Sequence, residues 1–137
     1  MADIIYKSDA ALPAESVTNL FQSANWSSAQ KPDRLLQALH HSHTVITAWD
    51  GEILVGLGSA ISDGFMVAYF PYLVVLPEYQ RQGIGKEIVT RLLKQYEDFH
   101  QLALIADGKA IKFYKRMGFE PAGGCKALWI YDGQEHD

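Results

Sequence analysis

VVLPEYQRQGIGKEIVTRLL, from Val74 to Leu93, places two glycines between the end of an apolar stretch and the start of a helical pattern. A strand, a glycine-containing turn and a helix N-terminus together make an anion site. The first N–H groups of a helix have no partner within it, and the macrodipole is positive there. Gly83 and Gly85 let the backbone approach a phosphate with no Cβ in the way, and Arg81 and Lys86 add charge. Two common phosphate loops are excluded. A Walker A loop needs Ser or Thr after Gly-Lys, but Glu87 follows Gly85-Lys86, and Gln80 stands at its first glycine position. A dinucleotide fingerprint needs a third glycine where this chain has Ile88. The loop therefore suits a pyrophosphate outside those two folds, or is a plain strand-to-helix turn.

A second constellation is ADGKAIKFYKRMGFEP, Ala106 to Pro121. Ile111, Phe113 and Tyr114 fall on a short helix that ends at Gly118-Phe119. A phenol with its ordinary pKa near ~10 is protonated at neutral pH and can donate a proton. An aromatic helix face packed on a sheet has the same pattern. His40, His41 and His43 invite a metal reading, but two are adjacent and the third crosses from helix to strand. They do not converge easily on one ion, so we read them as structural and expect no metal. Trp49 and Trp129 read as core or cleft lining, whereas Trp26, between the first two helices, is placed to touch an acceptor.

The chain has 137 residues, enough for one domain (1–137) with one core. Its 48% hydrophobic and 20% charged composition is that of a soluble globular protein. No apolar run approaches the roughly 20 residues that a membrane span needs, and MADIIYKSDA lacks the features of a signal peptide. Cys125 is the only cysteine, which points to a reducing compartment, the cytoplasm in the simplest case. Net charge is −4, which argues against a general nucleic-acid binder. The distribution is uneven: residues 80–116 carry +4 and the rest −8. Solvated helix faces account for such a run, as does an anionic ligand at the basic segment with a cationic one elsewhere.

Periodicity supplies the elements. DIIYKS reads as a first strand. Pro13 opens a helix with Val17, Leu20, Phe21 and Ala24 on one face, and Asp33 starts a second through Leu35, Leu36 and Leu39. His43–Trp49 and Glu52–Ser62 are strands joined by the hairpin signal Asp50-Gly51, and Asp63-Gly64 is a second such turn. Phe65–Leu76 is then a long strand in which Pro71 predicts an edge position, a bulge or a break. A helix from Gly85 through Tyr96, a strand Leu102–Ala106, a helix Lys109–Met117 and a last strand Ala127–Tyr131 follow. The order is β-α-α-β-β-β-α-β-α-β: one α/β (α+β) domain with a mostly antiparallel sheet. Val74–Leu76 and Leu102–Ala106, joined by a helix, are expected to run parallel.

Gln80-Arg81-Gln82-Gly83-Ile84-Gly85 resembles the Q/R-x-x-G-x-G/A motif of the GCN5-related N-acetyltransferase (GNAT) family. AIKFYKRMGF resembles that family's A-x-x-F-Y-x-K/R-x-G-F signature, and a helix and a strand separate the two, as they do there. The resemblance covers nearly the whole chain. It implies a mixed, mostly antiparallel twisted sheet whose parallel strands splay apart around acetyl-CoA. Carried over by position, Leu73, Val74 and Val75 would offer backbone groups to the pantetheine arm. Arg81, Gln82, Gly83, Ile84, Gly85 and Lys86 would surround the pyrophosphate. Phe113 and Tyr114 would lie beside the thioester, with Tyr114 as proton donor to the leaving thiolate and the Val75 N–H as oxyanion donor. Asp107 stands where the family often has Asn. No carboxylate occupies Pro71 or Tyr72, where relatives often carry a general base, so none is named; Tyr69, Tyr72 or water can relay the proton. The expected reaction is N-acetylation of a small primary amine. A peptide acceptor, or a non-catalytic acyl-CoA sensor, is the alternative. No nucleic-acid or membrane partner is expected. A homodimer is expected from the final strand and an edge that needs cover.

Overall fold

The computed structural model describes residues 3–133. The elements run β1 (Ile4–Ser8), α1 (Ala14–Ser23), a 3₁₀ turn (Ser27–Gln30), α2 (Pro32–His40), β2 (Thr44–Asp50) and β3 (Ile53–Ser62). They continue as β4 (Val67–Tyr69), β5 (Leu73–Val75), a 3₁₀ turn (Pro77–Tyr79), α3 (Ile84–Lys94), β6 (Gln101–Ala103) and α4 (Lys109–Arg116). β1, β2, β3 and β4 are antiparallel neighbours, and β5 also pairs antiparallel with β3. β4 and β6 form the parallel pair.

The hydrophobic pattern decides the layers. Val17, Leu20 and Phe21 of α1, with Leu35 and Leu39 of α2, are buried. Ile84, Ile88, Val89 and Leu92 of α3 are buried likewise. β2 is buried from Thr44 through Trp49, as a central strand covered on both faces must be. α3 comes close to β3 because Gly56 and Gly58 have no side chains. A Cβ on Gly58 would lie 2.5 Å from Ile88 Cγ2 and 3.0 Å from Leu92 Cδ1. Ile88 Cγ2 is a branch methyl that cannot swing away. Gly58→Ala is therefore expected to destabilise the fold by about 1–3 kcal/mol, the usual cost of overpacking. A lower urea midpoint at unchanged m-value would record it.

Three local expectations change. The long strand Phe65–Leu76 breaks at Phe70-Pro71-Tyr72, where proline cannot donate to a ladder, and becomes β4 and β5. The parallel pairing consequently lies upstream of Val74–Leu76: Val67, Ala68 and Tyr69 oppose Gln101, Leu102 and Ala103. The Phe70 N–H still donates to the Ala103 carbonyl at 3.1 Å; then the chains diverge, β5 staying with β3. Finally, Ala127–Tyr131 is no strand of this sheet. It crosses to the first 3₁₀ turn, where Tyr131 and Ser27 hydroxyls meet at 3.2 Å and Lys31 Nζ donates to Asp132 at 2.6 Å.

Candidate functional site

The gap opened at Phe70 holds a small apolar pocket. Phe70, Tyr72 and Leu73 from the broken strand line it, with Leu104 after β6, Val89 and Leu92 of α3, and Tyr114 and Phe119. Backbone direction follows from alternation. The Ser59 N–H donates to the Tyr72 carbonyl and the Leu76 N–H to the Val55 carbonyl, so Tyr72, Val74 and Leu76 face β3. The N–H and C=O groups of Leu73 and Val75 therefore face the gap. Val74 is buried and supports them from the core.

The basic loop sits at the end of β5. Gln80 Nε2 donates to the Val75 carbonyl at 3.1 Å, and Gln82 Nε2 reaches the Glu78 carbonyl at 3.4 Å. Tyr79 hydroxyl donates to Asp50 at 2.5 Å, which ties the loop to the β2–β3 turn. That tie spans 29 residues and no local motif announces it. Arg81 and Gly83 adopt left-handed backbone, φ +65° and +85°, and Gly83 caps α3. A Cβ on Gly83 would meet nothing within 4 Å, so the backbone here borders open space. Such a turn, directly before a helix N-terminus, presents successive N–H groups to an anion. The residues present fit a pyrophosphate.

The two motifs meet at Gly85. Its Cβ position lies 3.7 Å from Phe113 Cζ and 3.9 Å from Leu73 Cδ2, so β5, α3 and α4 converge there. Phe113 packs edge-on against Tyr114 at 5.1 Å, and Tyr114 against Phe119 at 5.7 Å. Burial pushes the Tyr114 phenol up to about 12, so it keeps its proton throughout the neutral range. An unfolded tyrosine releases that proton near ~10. The resulting stabilisation is fully present below pH ~10 and is lost as pH rises toward the folded value. Urea unfolding across this alkaline window should therefore show a shallower fall in stability for Tyr114→Phe than for wild type. A slope remains, because burial also raises Tyr69, Tyr72 and Tyr96.

On the α1 side of the broken strand lies a wide groove of ≈ 990 Å³, open to solvent. Trp26, Ser28, Lys31, Tyr69, Tyr72 and Tyr131 are among its walls. Trp26 and Tyr72 meet edge-on at 5.5 Å, and Phe21 backs both rings. Trp26 thus lines the wide groove, whereas Trp49 is in the core. Tyr72 lines both the groove and the small pocket, so the two spaces meet at that residue. Burial raises the Tyr72 phenol, with the Ser28 hydroxyl beside it opposing the shift. Among the described residues, the groove's only carboxylate is Asp132, held low by its bond to Lys31. Glu78 is exposed on the outer loop. The histidines go elsewhere. His41 Nδ1 bonds the Gln37 carbonyl, and His43 Nδ1 bonds the buried Tyr96 hydroxyl, both at 2.8 Å. Sequence reasoning missed Ser28, Leu104 and Phe119, which reach the site only through the tertiary fold.

The sheet thus opens between β5 and β6, with the N-terminus of α3 beside the gap. The chain belongs to the Acetyltransferase (GNAT) family, whose model matches residues 14–119. It is 32% identical to GCN5-related N-acetyltransferase 3, chloroplastic, of Arabidopsis thaliana over 85% of this chain and 47% of that protein. The chain spans about half the length of the curated relatives it matches. A GNAT-family acetyltransferase from Streptococcus pneumoniae superposes with TM-score 0.80 at 34% identity, covering 96% of this chain and all of that one. An aminoglycoside N-acetyltransferase solved in complex with CoA shares the fold at TM-score 0.70 and 13% identity, over 98% of this chain and 97% of that one. No helix among the described residues is long and apolar enough to cross a membrane.

Proposed function

We propose that the chain transfers the acetyl group of acetyl-CoA to a small primary amine, by direct attack in a ternary complex. The observation that carries this reading is Tyr72, which borders both the wide groove and the pocket beside Tyr114. An amine in the groove reaches an acyl group in the gap past that one ring. Leu73 and Val75 hold the pantetheine arm strand-fashion over Val74. Arg81, Gln82, Gly83, Ile84, Gly85 and Lys86 hold the pyrophosphate, and Asp107 and Phe113 border the cofactor. Acetyl-CoA supplies the activated thioester. The amine nitrogen bonds the acetyl carbon, the carbon–sulfur bond breaks, and Tyr114 gives its proton to the departing sulfur. The Val75 N–H offsets charge on the acyl oxygen. The amine's surplus proton leaves through water, which returns one to the Tyr114 phenolate, since among the described residues no carboxylate stands at the junction.

The aromatic walls suit an amine carried on an apolar or aromatic body, with cation–π attraction steering its protonated form. The openness of the groove favours a second reading, a peptide amine as acceptor. The exposed Cys125 suits a reducing compartment, such as the cytoplasm or the chloroplast that its Arabidopsis relative is named for. Free-thiol release from acetyl-CoA, measured against a panel of amines and peptides, tests the proposal. Turnover with a small amine supports it. Turnover with peptides alone moves the acceptor to proteins. CoA binding without turnover on any acceptor makes the domain a sensor. We also infer a homodimer, from the apolar surface that the isolated chain leaves uncovered.

A further inference from the structure

We infer that Asp50 and Tyr79 are positioning residues for the cofactor: their hydrogen bond holds the loop after Tyr79 in the conformation that binds the CoA pyrophosphate. The inference rests on the proposed acetyl-CoA site and adds what keeps that site formed. Arg81 is the residue that needs holding. Its φ of +65° lies in the left-handed region, where a side chain with a Cβ is strained, and such a residue persists only where its surroundings fix it. Gly83 takes a similar φ, +85°, without that cost. Among the described residues, the Arg81 and Gly83 N–H groups donate to no protein acceptor. Open N–H groups in a turn before a helix are what an anion needs. A loop free to relax at Arg81 disperses them.

Asp50 supplies a rigid anchor. It ends β2, opposite Ile4 of β1 on one side and Ile53 of β3 on the other, so it stands on the two-residue hairpin turn Gly51-Glu52. Gly51 has φ +59°, the sign that the favoured hairpin turns require. The Tyr79 hydroxyl reaches Asp50 Oδ2 at 2.5 Å. Bonding to the carboxylate raises the Tyr79 phenol, so the hydroxyl stays a donor through the neutral range. The Tyr79 ring packs on the core, and its N–H donates to the Leu76 carbonyl at 2.9 Å. Tyr79 is thus fixed at backbone, ring and hydroxyl, two residues before Arg81. After Arg81, α3 is fixed by its buried Ile84 and Ile88. The Gln80 and Gln82 side chains reach only Val75 and Glu78, close in the chain, so neither holds the loop against the hairpin.

The charge of Asp50 sharpens the argument. A carboxylate bonded two residues before Arg81 opposes a phosphate electrostatically. Among the described residues, the one side-chain hydrogen bond that this carboxylate accepts is that of Tyr79. Repulsion alone and the tie therefore predict opposite signs when Asp50 is replaced: repulsion predicts tighter CoA binding, the tie weaker.

Calorimetry with CoA decides between them, with urea unfolding to show that each variant is folded. Tyr79→Phe keeps the ring and removes the donor. Its CoA affinity is expected to fall by about 3–10-fold, because a smaller share of molecules then holds the binding conformation. Asp50→Ala should weaken CoA by a similar factor, although it removes a repelling charge. The double variant should bind no more weakly than the weaker single one, since both remove the same bond. Asp50→Asn keeps an acceptor for the hydroxyl and the turn chemistry of the hairpin, so it should bind CoA more tightly than Asp50→Ala. Wild-type affinity in Tyr79→Phe, tighter binding in Asp50→Ala, losses that add in the double variant, or Asp50→Asn no better than Asp50→Ala would overturn the inference. A wild-type protein that binds no CoA would overturn the cofactor reading itself, and the inference with it.

Discussion

Tyr114→Phe is expected to lower kcat by about 10²–10⁴-fold, the usual contribution of a general acid, with little change in CoA affinity. The substitution keeps the ring that packs edge-on against Phe113 and Phe119 and removes only the hydroxyl. That hydroxyl belongs to a phenol raised to about 12 by burial, so it is protonated throughout the neutral range. A thiolate with a pKa near ~8.5 is a weaker base than the phenolate, so proton transfer to it is uphill even after departure and is drawn forward only as water reprotonates the phenolate. The donor therefore acts as the carbon–sulfur bond stretches and the sulfur gains charge. The loss should then shrink for an acyl donor whose thiol is more acidic, because that leaving group needs less help. A tyrosine that merely packs predicts lowered thermal stability and equal turnover on both donors. Comparing turnover of wild type and Tyr114→Phe on two thioesters of different thiol acidity separates the cases. Equal loss on both, or none, assigns thiolate protonation to water.

The second large effect concerns binding. Gly85→Val is expected to weaken CoA affinity by about 10–100-fold, the loss of one or two charge-assisted hydrogen bonds. Gly85 lies in the first turn of α3, and a Cβ there makes only ordinary contacts with Phe113 and Leu73. Gly85→Ala should therefore fold as wild type does, with a CoA affinity between those of wild type and Gly85→Val. Valine adds two γ-methyls between β5 and α4, in the space where the backbone must approach a phosphate. Its helical propensity is no worse than that of glycine, so folding is retained. Calorimetry showing wild-type CoA affinity in a folded Gly85→Val protein would remove the loop from the binding site.

What the sequence made legible is what is local. The helices follow from apolar spacing, and the hairpin at Asp50-Gly51 from its turn chemistry. The two signature segments carried the family and the candidate cofactor residues. What stayed hidden depends on partners distant in the chain. Pro71 announced an irregularity, but whether it would bulge or break depended on β3 keeping one half while β6 took the other. The distinct role of Val74 beside Leu73 and Val75 required the register with β3. Tyr72 was visible only as a missing carboxylate, although the fold places it between groove and pocket. Ala127–Tyr131 has the composition of a strand, but composition does not show that the segment crosses to Ser27 and Lys31 instead of joining the sheet. The charge segregation was legible too, yet the acidic remainder of the chain does not gather in the groove, where Lys31 holds Asp132.

A crystal structure with bound acetyl-CoA tests the central claim most directly. The account predicts the pyrophosphate on the N–H groups of residues 81–86 and the pantetheine arm between Leu73–Val75 and residues 104–106. It places the thioester sulfur within hydrogen-bond reach of the Tyr114 hydroxyl. An acetyl-CoA molecule bound outside the gap between β5 and β6, or one whose sulfur lies away from Tyr114, would contradict it.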